Sequence, residues 1–103
     1  MSNGKIKIWV DDVREATSPE YIVCLSVNQC IGLIEKVGIH DIELLDLDHD
    51  AGDFAIDGGD YIKILDYLEL KHFKDVNIHL HSKNPVGIKN MQRIIQKNEW
   101  NLV

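Results

Sequence analysis

Cysteine is scarce in this chain. Cys24 and Cys30 are the only two among 103 residues. That is too few for the disulfide framework of a small secreted domain, and it suits a reducing compartment. No apolar leader opens the sequence, and no apolar run approaches membrane-span length. The expected residence is therefore cytoplasmic, with both thiols reduced and packed as core filler. An excess of basic charge is also missing. Seventeen acidic residues face eleven basic ones, for a net charge of −6. The overall field then repels phosphate, which argues against extended nucleic-acid tracks and anionic membranes. A phosphate partner would need a local pocket or a bridging cation. There are no repeats, no linker and no low-complexity segment, so the length fits one domain over residues 1–103.

What is present is an alternation of strand and helix patterns. Residues 5–10, Lys-Ile-Lys-Ile-Trp-Val, read as a strand that ends at Asp11-Asp12. Residues 13–20 carry the loop signal Ser18-Pro19, and residues 21–25 form a second β-type run. Ser26 can cap a helix with Gln29 as its box partner, and Val27, Cys30, Ile31, Ile34 and Val37 form its apolar stripe up to Gly38. A third strand, 42–47, runs into the Asp- and Gly-rich segment 48–58. Asp57 is a candidate cap for a helix striped by Tyr61, Ile64, Leu65 and Leu68. Residues 76–81 alternate as a fourth strand. Asn84-Pro85 then opens a last helix striped by Ile88, Met91, Ile94 and Ile95, and Trp100 lies in a terminal stub.

This order predicts an α/β fold: a small open parallel sheet of four strands, or five with the stub, in the order 2-1-3-4. Helices are expected on its faces, with the first helix reduced to a loop. An antiparallel second strand is the fallback, because residues 11–20 are short for a parallel crossover.

In such a sheet, ligands gather at the carboxyl ends of the strands. Three ends converge there: Asp11-Asp12, Asp48-His49-Asp50 and His81-Ser82. Asp11, Asp12, Asp48 and Asp50 are candidate ligands for Mg²⁺ or another divalent cation. His49 and His81 are candidate proton-transfer groups, with Asp48 as a third catalytic candidate. Arg14, Ser82, Asn84 and Gly87 would bind substrate, helped by free N–H groups at the start of the last helix. Asp46, Asp48 and Asp50 would share one face of an extended backbone, leaving open whether Asp46 or Asp48 faces the rim. His79 reads as a packed, hydrogen-bonded histidine. Asp46, Asp48, Asp50 and Asp57 also match positions of a Ca²⁺ loop, but a strand precedes them and the glycine is displaced to Gly52, so the pattern fails in context.

The arrangement resembles the response-regulator receiver domain, with an acidic pair after strand one, an Asp after strand three and a Ser after strand four. The fuller set is Trp9-Val10-Asp11-Asp12-Val13-Arg14, Leu47-Asp48-His49-Asp50 and His81-Ser82-Lys83-Asn84-Pro85-Val86-Gly87. It is similar to a group of bacterial and phage receiver-like proteins described as cyclic-phosphate-processing receiver domains. That resemblance implies binding or processing of a cyclic phosphate ester, such as an RNA end, with a phosphate-containing small molecule or RNA terminus as partner. The alternatives are a phospho-accepting or degenerate receiver signalling module, and a non-enzymatic interaction domain with a protein partner.

Overall fold

The computed structural model describes residues 5–103. Five strands form one fully parallel sheet in the order β2-β1-β3-β4-β5. They are β1 (Ile6–Val10), β2 (Tyr21–Cys24), β3 (Ile42–Leu47), β4 (Asn77–Leu80) and β5 (Asn101–Leu102). Three α-helices connect them: α1 (Val27–Val37), α2 (Ile62–Leu70) and α3 (Pro85–Lys97). Strand two is therefore parallel, and the terminal stub is a fifth strand. Residues 11–20 cross from β1 to β2 without a helix.

Strand alternation sorts the side chains. Ile8, Val10, Leu45, Leu47 and Ile78 point into one core with Val27, Cys30 and Ile34 of α1, Ile64, Leu65 and Leu68 of α2, and Met91 and Ile95 of α3. All three helices thus cover the same face of the sheet, rather than both faces as expected. The physical reason is connectivity. The helix that would cross the opposite face between β1 and β2 is absent. That face carries Lys7, Trp9, Tyr21, Asp46 and His79, and only the 11–20 segment folds over it. Its anchor there is the Trp9 indole, whose Nε1 donates to the Arg14 carbonyl at 3.0 Å.

Ser26 caps α1 as its position suggests, accepting from Gln29 N at 3.0 Å, while Gln29 Oε1 reaches back to Leu25 N. Asn84 caps α3 by accepting from Gly87 N, with Pro85 in the first turn. The expected cap at Asp57 is not found: α2 begins at Ile62, and no side chain caps it. Asp57 instead accepts from Ser26 Oγ at 2.7 Å and Asn28 Nδ2 at 3.0 Å, tying the 48–60 segment to α1. A second tie is the fully buried Tyr61, whose hydroxyl donates to the Leu25 carbonyl at 2.7 Å. These bonds fix the long segment that leads away from β3, and so fix the rim.

Candidate functional site

The strand ends place Asp11, Asp12 and Asp48 together. One carboxylate oxygen from each lies within 4.8 Å of the others. Asp48 follows directly on β3, where its N–H continues the ladder to Val10 O at 2.9 Å, so its side chain emerges beside the end of β1. Asp11 and Asp48 are buried. Burial favours the neutral form of Asp11, but the N–H groups of Arg14 and Val13 and the His81 ring outweigh it and hold this carboxyl below its usual range. Asp12 goes the other way. Burial, then the charges of Asp11 and Asp48, push its pKa up. An oxygen-only cluster with one strained acid suits a hard divalent cation such as Mg²⁺.

Asp50 does not join this trio. Strand β3 ends at Leu47, so Asp46, Asp48 and Asp50 do not share a face as an extended backbone would require. Asp50 turns outward, with its side chain 61% exposed, and its Oδ1 accepts from His49 Nδ1 at 2.8 Å. In the neutral ring with Nδ1 donating, Nε2 is the nitrogen that carries the lone pair. Asn84 Nδ2 also reaches Asp50 Oδ2, at 3.4 Å. The ring rests on the first turn of α3, where only a glycine fits. A methyl at Gly87 would touch the ring, 2.5 Å from Cδ2 and 2.8 Å from Nδ1.

His81 is held differently. Its Nδ1 donates to Asp46 Oδ1 at 2.7 Å and its Nε2 to Asp11 Oδ2 at 2.9 Å. Two carboxylates can only accept, so the ring is an imidazolium. Burial opposes that charge, but Asp46 and Asp11 together raise its pKa. Trp9 stacks on it, centroids 3.9 Å apart and nearly parallel. Neither nitrogen is free in this geometry. Asp46 is thereby placed on the open face, away from the acidic trio. It also accepts from His79 Nδ1 at 2.8 Å and Tyr21 OH at 2.8 Å. Asp48, not Asp46, faces the rim.

Arg14 donates from Nη1 to the His81 carbonyl at 2.9 Å and stays 37% exposed. Ser82 Oγ accepts from Asn84 N at 3.0 Å, which leaves its O–H to donate elsewhere. The expected row of free N–H groups at α3 is smaller than anticipated. Pro85 has none, Gly87 N is capped, and Ile88 N bonds to Asn84 O. That leaves Val86 N–H as the first-turn donor for an anion.

The combination of this sheet order, the acidic trio and the histidine-bearing strand ends has a counterpart among known families. A family model for the cyclic-phosphate processing receiver domain matches residues 6–97. The chain belongs to that family. No curated protein and no solved structure matches it significantly. In this cyclic-phosphate processing receiver domain the match runs from β1 to the last turn of α3, so it spans all three strand ends that build the rim. Sequence reasoning did not assign Trp9 or Tyr21 to this region. Their signal was their odd-numbered place in strands whose even positions are apolar, which puts them on the face that carries Asp46. Among the described residues no helix is long and apolar enough to cross a membrane.

Proposed function

We propose that the rim binds a cyclic phosphate ester, such as a 2′,3′-cyclic nucleotide or an RNA end, and hydrolyses it. The observation that carries this is the convergence of three carboxylates within 4.8 Å at the end of the sheet, one residue from a histidine with a free nitrogen. Asp11, Asp12 and Asp48 would hold a divalent cation, which when bound supplies charge to polarise a phosphoryl oxygen. His49 is the proton-transfer group, oriented by Asp50. The oxygen of a water forms the new bond to phosphorus as one bridging P–O bond breaks. His49 Nε2 takes the proton from that water and passes it to the departing oxygen. Arg14, the Ser82 hydroxyl and Val86 N–H donate to the non-bridging oxygens. His81, with both nitrogens engaged, positions Asp11 rather than moving protons. A ligand of this kind is held by its phosphate end, in keeping with the acidic surface around it.

The test is an amide-shift titration, first with Mg²⁺ and then with a 2′,3′-cyclic nucleotide, followed by phosphorus NMR of the product. Shifts confined to residues 11–14, 48–53 and 81–87, with conversion to a monoester lost in His49→Ala, are expected. Silence from all three segments with both ligands refutes the reading.

A further inference from the structure

We propose that Asp46, His79 and His81 form a second metal site, for a borderline ion such as Zn²⁺, on the open face of the sheet. This site shares no ligand with the acidic trio, which it meets only where His81 is bonded to Asp11, and it does not depend on the function proposed for the trio. Three observations carry it.

First, the ligand set is complete and convergent. His79 and His81 alternate along β4 and its continuation, so both rings lie on one face. Asp46 sits opposite His79 in the β3–β4 register. One ligand atom from each of the three lies within 4.8 Å of the others, and both Nδ1 atoms meet Asp46 Oδ1, at 2.8 Å and 2.7 Å. Ligands around a tetrahedral zinc, at about 2.0–2.1 Å from it, are about 3.3 Å apart. The rings need to part from Asp46 by only about half an ångström to admit the ion. Two imidazoles and a carboxylate favour a borderline ion over Mg²⁺.

Second, the groups behind the ligands have the arrangement that metal-bound histidines use. The His81 ring presents Nδ1 to the site and anchors its other nitrogen on Asp11, a fully buried carboxylate, at 2.9 Å. The second oxygen of Asp46 is fixed by Tyr21 OH at 2.8 Å. Trp9 clamps the His81 ring from one side. Three ligand atoms are thus aimed without any ion present.

Third, the site is open on one side only. Asp46 and His81 are nearly enclosed, whereas His79 is 45% exposed. The ion could enter past His79 and keep a water in its fourth position. On binding, His81 gives its Nδ1 proton to solvent and remains bonded to Asp11 through Nε2–H. His79 loses its Nδ1 proton to solvent and takes one from solvent at Nε2, so its ring changes tautomer and one proton is released in all. The buried pair Asp46 and Asp11 carries two negative charges against the single positive charge of His81, so a dication meets a local excess of negative charge.

The test is titration of the full chain, freed of metal by chelation, with Co²⁺ and then Zn²⁺, alongside a large excess of Mg²⁺. The expected result is one equivalent of Co²⁺ with the visible absorption of a four-coordinate ion, displaced by Zn²⁺ and unaffected by Mg²⁺. Trp9 should be quenched by Co²⁺, because it stacks on a ligand. Trp100, bonded to Phe73 O, should not, and Trp9→Phe identifies which indole responds. His79→Ala, a partly exposed position, should fold normally and bind at least a hundredfold more weakly. Tyr21→Phe, which loosens Asp46, should cost about tenfold. Asp12→Asn should leave the Co²⁺ spectrum intact. Absence of saturable binding overturns the proposal. So does equal affinity in a folded His79→Ala protein, or loss of binding in Asp12→Asn, which would place the ion on the acidic trio.

Discussion

Replacing Gly87 by alanine sets two effects of known sign against each other. The residue lies in the first turn of α3 with an ordinary helical φ, so alanine there should gain up to about 1 kcal/mol from helix propensity. The added methyl, however, would stand 2.5 Å from His49 Cδ2 and 2.8 Å from Nδ1. Carbon contacts settle near 3.5–4.0 Å, so the ring must retreat by about 1 Å. That movement breaks the 2.8 Å bond to Asp50, which contributes about 1 kcal/mol, and scatters the ring away from the rim. The net change in stability should be small, while the orientation of His49 is lost. A double-mutant cycle separates the two. Gly87→Ala should be neutral or mildly destabilising in the native background, and stabilising by about 1 kcal/mol in a His49→Ala background. For a domain of this size that corresponds to roughly 4–8 °C in midpoint. Long-range imidazole NMR reports the tautomer directly, and the Nδ1–H form of His49 should vanish in Gly87→Ala and in Asp50→Ala. Equal effects of Gly87→Ala in both backgrounds, with the tautomer unchanged, would refute the packing of His49 on α3.

The network around His81 should make stability depend on pH from both sides. His81 has a raised pKa in the fold, so its contribution is complete below about pH 6.5 and fades as pH rises through the folded value. Asp11 and Asp46 have lowered values, so their contribution is present above about pH 4 and fades as pH falls below it. Urea midpoints measured in chelator should therefore peak between these limits, and the alkaline decline should flatten in His81→Gln. An unchanged decline would assign it to other groups. Asp12→Asn removes an acid that its neighbours repel. It should raise the stability of the cation-free chain by about 1 kcal/mol or less while abolishing the Mg²⁺-induced amide shifts. A Mg²⁺ response that survives would remove Asp12 from the ligand set.

The fold was legible wherever periodicity was strong. The apolar positions of β1 and β3, the stripe of α1 and the Asn84-Pro85 start of α3 all act as their spacing implies, because burial and capping are local rules. The sheet order followed from connection lengths, including the missing first helix. The one-sided helical layer was less visible. It depends on what fails to cover Trp9 and Tyr21, and no single residue encodes that. Asp57 misled because a helix cap and a tie to a neighbouring helix present the same side chain. Asp50 misled because alternation was extended three residues past the end of β3 at Leu47. The arrangement around His81 was the least readable. Asp11, Asp46 and His81 are distant in sequence, and only the register of three strands brings both carboxylates to one ring.

That register also divides labour within the acidic trio. A carboxylate offers about four lone-pair positions. Asp11 commits two to the N–H groups of Val13 and Arg14 and a third to His81. Asp48 commits one, to His49 N, and Asp12 takes only its own backbone N–H as a donor that favours its charge. Asp11 is therefore chiefly the keystone that holds the β1–β2 crossover, Arg14 and the His81 ring in place. Asp12 and Asp48 retain the capacity to ligate. Asp12 is also the acid of the three whose pKa rises. Burial raises it first and the charges of Asp11 and Asp48 add to that, against a single backbone N–H, its own, and a cation is the partner that would restore the balance. Gly52 backs this residue closely, at a positive φ of 57° where a methyl would collide with the Asp12 carboxylate. The backbone of the 48–60 segment thus comes near enough to limit where Asp12 can turn. Asp12 is a candidate ligand with few donors, and it is confined by shape instead.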